Sequence, residues 1–303
     1  MDFRQLQYFV AVVEEGSVSG ASRRVHVAQP ALTRQIKLLE DSLGTQLFTR
    51  HSQGMQLTIT GRALYEDAQD LLDQRQQVIA RLAALDNGLS GKLSLGITVT
   101  HLWLPMVAEL LGAYRKRYNG VAFEVFPLLS GPQLERLQQG KLDAGILYLD
   151  DEAPAGLSSR LLHRDSLILA VPESSPLAEA APNSLSALND EDFVWGARSA
   201  SPVYYDRVLS HLHRLGFNPR PVQYGADNIA ILSMVAAGLG MAVVPASAGE
   251  STVIPGVRYL RMKELDECSM PLCFAWRSDN DSPTLANMIA LVDETLSLEM
   301  DRK

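Results

Sequence analysis

In the stretch AQPALTRQIKLLEDSLG, the side chains of Gln29, Thr33, Arg34 and Lys37 fall on one side of a helical repeat and combine an amide, a hydroxyl and two cations. Such a set can hydrogen-bond base edges and neutralise phosphates, the chemistry of a nucleic-acid contact. From Gly16 to Leu39 there is no acidic residue, while Arg23, Arg24, His26, Arg34 and Lys37 all lie there. The whole chain is acidic, with a net charge of -8, yet residues 1–60 hold six basic groups against five acidic ones, leaving 21 against 30 for the rest. A local basic face on an acidic protein can dock a polyanion without making the whole molecule adhesive. By charge alone, an ordinary solvated face would look the same.

Other chemistries fare worse. The sequence has no P-loop, no H-E-x-x-H, no G-x-S-x-G elbow and no G-x-G-x-x-G after a strand, and His101 beside Thr100 lacks the placed acid and nucleophile of a triad. Cys268 and Cys273 are the two cysteines, without a nearby histidine pair, so buried free thiols are expected rather than a zinc set or a disulfide framework. No enzyme activity, cofactor or metal is expected. Apolar runs such as ILSMVAAGLGMAVVP are broken by glycine and fall short of the ~18 residues of a membrane span. The N-terminus turns acidic after its apolar run and does not read as a secretory signal, which leads to a cytoplasmic expectation.

The elements that must carry the basic face follow from apolar spacing. Leu6, Phe9, Val10 and Val13 predict a helix from about Phe3 to Glu15, stopped at Gly16. A second helix starts after Ser17 as N-cap and includes Gly20, which costs about 1 kcal/mol of propensity, so packing must hold it. The third has Pro30 in its first turn, Leu32, Ile36, Leu39 and Leu43 as its buried stripe, and Gly44 as its end. Only VHVAQ separates the last two, which predicts a helix-turn-helix whose second helix enters the major groove. TQLFTRHSQGMQLTITG then reads as a hairpin, or wing, around Ser52, Gln53 and Gly54, with Arg50 and His51 toward its tip.

From about Ile59 to Asn87 a long helix is predicted, about 45 Å at ~1.5 Å per residue. Leu64, Leu71, Val78 and Leu85 repeat every seven residues, with Ala68 and Leu82 at a second heptad position, so the chain is expected to dimerise here. Beyond it, strand-like runs (LSGKLSLGIT, VAFEVFPLL, DAGILYL, SLILAVP, FVWGA) alternate with helical ones, predicting an α/β domain with a largely parallel sheet. Ligands of such domains bind beyond the carboxyl ends of strands, often at helix N-termini.

The segment LQYFVAVVEEGSVSGASRRVHVAQPALTRQIKLLEDSLGTQLFTR, together with LTITGRALY and AAGLGMAVVP, resembles the LysR-type transcriptional regulators, and the resemblance extends over nearly the whole chain. It implies a winged helix-turn-helix over 1–58, a linker and dimerisation helix over 59–88, and a periplasmic-binding-protein-like regulatory domain over 92–303. That domain would have two α/β lobes, at about 92–162 with 268–300 and about 163–267, with chain crossings near Leu162 and Cys268. It also implies a homodimer, and a tetramer of two dimers, on a dyad-symmetric promoter in double-stranded DNA, responding to a small-molecule effector, an organic acid, held between the lobes.

Carried over by position, Gln29, Pro30, Thr33 and Arg34 match the major-groove contacts, with Lys37 as a phosphate partner and Arg50 in the wing. Gln53 departs from the basic residue usual before the wing glycine, and Ala28 from the usual serine cap. For the effector the resemblance points to Thr98, Thr100, His101, Ser130, Arg198, Ser199 and Asp227. Two competing readings are a solute-binding protein with an unrelated helical domain, opposed by the missing signal peptide and the basic start, and an architectural DNA-binding protein, opposed by the full α/β domain.

Overall fold

The computed structural model describes residues 1–300 apart from Ser52, Gln53, Ala181 and Thr252. The chain forms two compact units, residues 1–84 and 85–303. The first contains α1 (Phe3–Glu15), α2 (Val18–Arg24), α3 (Gln29–Leu43), the antiparallel pair β1 (Phe48–His51) and β2 (Gly54–Leu57), and most of α4 (Ile59–Asp86). Asp2 caps α1 in a reciprocal box with Gln5, and Ser17 Oγ accepts from Gly20 N to open α2. Leu6, Phe9, Val12, Ala21, Leu32, Ile36, Leu39, Leu47, Phe48 and Ala68 form the core. Leu43, expected in the buried stripe of α3, is 38% exposed: it stands in the last turn, where the chain leaves at Gly44 (φ 67°).

The turn between α2 and α3 depends on His26, the one non-glycine residue with a positive φ (52°) among those described. The start of α4 depends on Gly61. A Cβ there would lie 2.1 Å from the Leu47 carbonyl oxygen, while Thr58 Oγ1 accepts from Gly61 N and donates to the Gln46 carbonyl. The threonine caps the helix and the glycine lets it close against the wing base, a physical reading of the LTITG stretch.

In the second unit, β3 (Ser90–Ile97), α5 (Pro105–Arg117), β4 (Gly120–Pro127), α6 (Ser130–Gln138), β5 (Ala144–Tyr148), β6 (Leu157–Asp165) and, after an excursion, β12 (Met270–Arg277) build a sheet of order β4-β3-β5-β12-β6. The excursion comprises β7 (Leu167–Pro172), β8 (Asp192–Gly196), α7 (Pro202–Arg214), β9 (Arg220–Gly225), α8 (Asn228–Ala236), β10 (Ala242–Pro245), α9 (Ala246–Glu250), β11 (Val257–Leu260) and α10 (Lys263–Asp266), and α11 (Pro283–Met300) ends the chain. Its strands form β10-β7-β11 and β8-β9, linked by a parallel bridge between Phe193 and Met241.

The sheets are mixed rather than largely parallel. β3 runs parallel to β4 and β5, and β8 to β9, but β12 is antiparallel to β5 and β6, as are β10 and β11 to β7. The chain leaves the first lobe at Ser166, directly after Asp165, and re-enters through β12, so its returning strand inserts antiparallel between two earlier ones. β6 thus runs a few residues past Leu162. Val99–Trp103 is a tight helical turn preceded by Thr98. Among the described residues no helix is long and apolar enough to cross a membrane.

Candidate nucleic-acid interface and ligand recess

On α3 the buried side is Leu32, Ile36 and Leu39, which turns Gln29, Pro30, Arg34 and Lys37 outward, all exposed. Thr33 is half-buried, and its hydroxyl donates to the Gln29 carbonyl at 2.9 Å. Ala28 supplies no side-chain cap and Pro30 has no N–H, so the first turn of α3 offers its remaining N–H groups to water or to a phosphate oxygen. Arg34, Lys37 and Arg23 have no ion-pair partner among the described residues. Arg24 does: its guanidinium lies 2.5 Å from Glu14 and 3.5 Å from Glu15, and these carboxylates raise its pKa above the usual value. The basic run in the sequence therefore divides into three free cations and one committed one. Glu40, next on α3, accepts from Leu47 N (2.8 Å) and Phe48 N (3.3 Å), tying the helix to the wing. Arg50 stands on β1 opposite Met55, and Gln53 lies outside the described residues.

In the second unit, a recess opens where the carboxyl ends of β3, β5 and β8 meet the N-termini of α6, α7 and α8. Thr98, His101, Ser130 and Asp227 line it, as do Tyr148, Trp195, Ser201, Tyr204, Tyr205 and Asn228, and its volume is about 70 Å³. A second recess of about 60 Å³ shares Thr98, Leu129, Asp227 and Asn228 and adds Thr100. Ser130 begins α6, and its hydroxyl accepts from Tyr148 N at 3.2 Å. Asp227 caps α8 by accepting from Ala230 N at 2.8 Å.

Behind the wall lies a polar knot. Tyr148 donates its hydroxyl to Asp165 Oδ2 at 2.8 Å, and Asp165 also accepts from Ser247 N at 3.1 Å and from the Ser247 hydroxyl. Tyr148 ends β5, Asp165 is the last residue before the crossing, and Ser247 is on α9, so the knot joins both lobes at their hinge. The His101 ring meets Tyr148 edge-on, 4.9 Å between centroids, and Tyr148 lies 5.4 Å from Tyr204. Burial pushes the His101 imidazole down to about 4; Asp165 and the Ile146 backbone oppose this, and His163 adds to it. The ring is neutral at pH 7. Burial, reinforced by Asp165, raises the Tyr148 and Tyr204 phenols well above 10, so both stay protonated.

Several polar atoms facing this region lack a hydrogen-bond partner in the protein: Thr100 Oγ1, Ser201 Oγ and the Tyr204 hydroxyl, while the His101 ring has no well-formed hydrogen bond beyond its approach to the Ile146 backbone. Buried groups of this kind cost about 1–3 kcal/mol each unless something else pairs with them.

Two expected residues do not line it. The Arg198 guanidinium makes a two-pronged pair with Asp206 (2.7 and 2.6 Å) on the exposed side of the lobe, because α7 brings that carboxylate round to it. Ser199 is exposed, and its carbonyl abuts the first lobe so closely that a Cβ on Gly131 would sit 2.4 Å away. The positive charge expected from Arg198 is therefore absent from the lining. Sequence reading missed Tyr148, Ser201, Tyr204, Tyr205 and Asn228. The signal was present in SPVYYDR, a serine and proline opening a helix with two tyrosines in its first turn, and in the tyrosine ending DAGILYL.

A winged helix-turn-helix in one unit and a two-lobed domain with a polar recess in the other define a DNA-binding transcriptional regulator with a small-molecule-binding domain. The comparisons agree. Residues 3–62 match the bacterial regulatory helix-turn-helix protein family of the lysR type, and residues 86–297 match the LysR substrate binding domain. The transcriptional regulator TdfR of Cupriavidus pinatubonensis is 33% identical over 285 residues, covering 94% of this chain and 95% of that protein. XapR of Escherichia coli is 31% identical, covering 97% and 98%. The crystal structure of CbnR, a LysR family transcriptional regulator, superposes with a TM-score of 0.79 at 28% identity, covering 96% of this chain and all 100% of that one. A second CbnR structure, complexed with its target DNA, gives 0.77 at 27% identity, covering 97% and 99%. The chain belongs to the LysR family of transcriptional regulators, and it is a regulator rather than an enzyme.

Proposed function

We propose that this regulator reads a dyad-symmetric promoter site as a homodimer, or as a tetramer of two dimers, and that a small molecule between the lobes sets its output. The observation that carries the DNA reading is the exposed α3 face, where Gln29 and Arg34 are free to meet base edges while Lys37, Arg23 and the uncapped helix start meet phosphates. Arg50 joins them from the wing. Structures of CbnR with its target DNA make the same use of this domain type reasonable here.

The dimer reading rests on α4. Leu64 and Ala68 are absorbed by the core of their own unit, whereas Leu71, Val78, Ile79, Leu82 and Leu85 are 36–57% exposed along the rest of the helix. A bare apolar stripe of that length at heptad spacing suits a second copy of the same helix.

For the effector, Thr98, Thr100, His101, Ser130 and Asp227 are the sequence-nominated residues on the two recesses, and Tyr148, Ser201 and Tyr204 join them. A ligand bridging the lobes would favour one of two lobe arrangements hinged at the Tyr148–Asp165–Ser247 knot. An organic acid has the N-termini of α6 and α7 in its favour, neither capped by a side chain, and the lack of a lining cation against it. Gel-shift titration tests the DNA half. Arg34→Ala should weaken binding to the chain's own upstream region by about 1–3 kcal/mol and relax specificity at one base position. Unchanged affinity and specificity would remove α3 from the interface.

A further inference from the structure

We propose that the effector is an uncharged, single-ring aromatic or heteroaromatic molecule with a hydrogen-bonding group at each of two opposite edges, one facing Tyr204 and the other facing Thr100. The proposal rests on the reading of the inter-lobe cleft as the effector site.

Three observations carry it. The first is charge. Asp227 is the one charged side chain among the described residues lining the two recesses. Arg198 is held by Asp206, and Arg207 reaches away to Asp150 and Asp151. A carboxylate ligand would meet a like charge with no cation to offset it.

The second is shape. The two recesses, about 70 and 60 Å³, share their lining at Thr98, Leu129, Asp227 and Asn228, so one ligand can occupy both. Together they approach the roughly 150 Å³ of a cavity that accepts benzene. Tyr148, Tyr204 and Trp195 supply flat apolar surface for a ring.

The third is the placement of uncommitted polar atoms. His101 is 1% exposed and Thr100 is 2% exposed, and the hydroxyls of Thr100, Ser201 and Tyr204 have no hydrogen-bond partner in the protein. Thr100 lines one recess, and His101, Ser201 and Tyr204 line the other. These groups are hydroxyls and a neutral imidazole, which pair with hydroxyl, amide or ring-nitrogen functions on an uncharged ligand.

Matched pairs test the charge selection directly: benzamide with benzoate, para-hydroxybenzamide with para-hydroxybenzoate, and nicotinamide with nicotinate, each titrated into the intact protein with thermal unfolding as readout. The amide of at least one pair should bind about tenfold or more tighter than its acid. Asp227→Asn should narrow that preference, since asparagine caps α8 as well as aspartate does. The near-isosteric double variant Thr100→Val with Tyr204→Phe removes hydroxyls that bind nothing in the protein, so its ligand-free Tm should hold or rise while the amide-induced shift is lost. Acids that equal or beat their amides in every pair, with shifts lost in the double variant, overturn the uncharged class and leave the cleft as effector site. No shift from any of the amides also overturns the class. Shifts that survive in the double variant overturn the cleft reading itself.

Discussion

The division of the basic run into paired and unpaired cations makes a quantitative prediction. Lys37 is exposed with no acidic partner, whereas Arg24 sits 2.5 Å from Glu14. Each phosphate neutralised releases counterions worth about 0.9 in the slope of log K against log salt. In a dimer, Lys37→Gln acts twice and should flatten that slope by about 1.8. Across a fourfold rise in salt, its affinity deficit should then shrink by about tenfold. Arg24→Gln removes the same formal charge from the same unit, yet it should leave the slope within about 0.3 of the parent. Fluorescence anisotropy on one labelled promoter duplex, at several salt concentrations, reads both slopes. Equal flattening by the two variants would show that the ion pair does not decide which cation meets the backbone. An unaltered slope for Lys37→Gln would show that this side of α3 does not face phosphates, and a change of about 0.9 would indicate one engaged copy.

Three further outcomes are expected. Leu82→Asp should shift intact protein from dimer to monomer in sedimentation, because Leu82 is 57% exposed on the unpartnered stretch of α4; a dimer that persists would place the interface elsewhere. Gly61→Ala should destabilise the first unit by more than about 2 kcal/mol in thermal unfolding, since a Cβ 2.1 Å from the Leu47 oxygen forces backbone to move, and a wild-type Tm would contradict that close approach. His101, lowered from 6.5 to about 4 in the fold, binds its proton more readily when unfolded. Its contribution is therefore complete above about pH 6.5, is lost as pH falls toward about 4, and amounts to about 3 kcal/mol. Denaturant unfolding should show His101→Leu to be less sensitive to that acid range than the parent, and an identical pH dependence would refute the buried neutral ring.

Apolar spacing exposed the helices well, because the faces of α1 and α3 are set by contacts within about forty residues of chain and the periodicity records them directly. Leu43 shows the limit: spacing put it in the stripe, but a helix end at Gly44 leaves the last turn partly outside the core. The mixed sheet was less legible. β12 is about 120 residues from β5 and takes its direction from where the chain re-enters the lobe, and nothing inside MPLCFAWR encodes that. The exposed basic side of α3 was legible because one short helix carries it. The recess was legible only in part, since its residues come from seven or more separate segments.

Arg198 illustrates why. Its charge and position beside a strand end favoured a ligand role, but α7 presents Asp206, eight residues on, and a bidentate pair holds the guanidinium on the exposed side. Tyr148 and Tyr204 are the reverse case. Each looks like core filler in its own segment, and each acquires a role only when β5 and α7, from different lobes, bring the rings to 5.4 Å. The same encounter sets the polarity of the recess: with the cations drawn outward to aspartates, what faces inward is aromatic surface, hydroxyls and a neutral imidazole. On the proposed reading of the cleft, ligand preference depends on the surface carboxylates that hold Arg198 and Arg207 outward as well as on the residues of the lining. Releasing Arg198 by Asp206→Ala is the substitution through which that division of charge could be reversed.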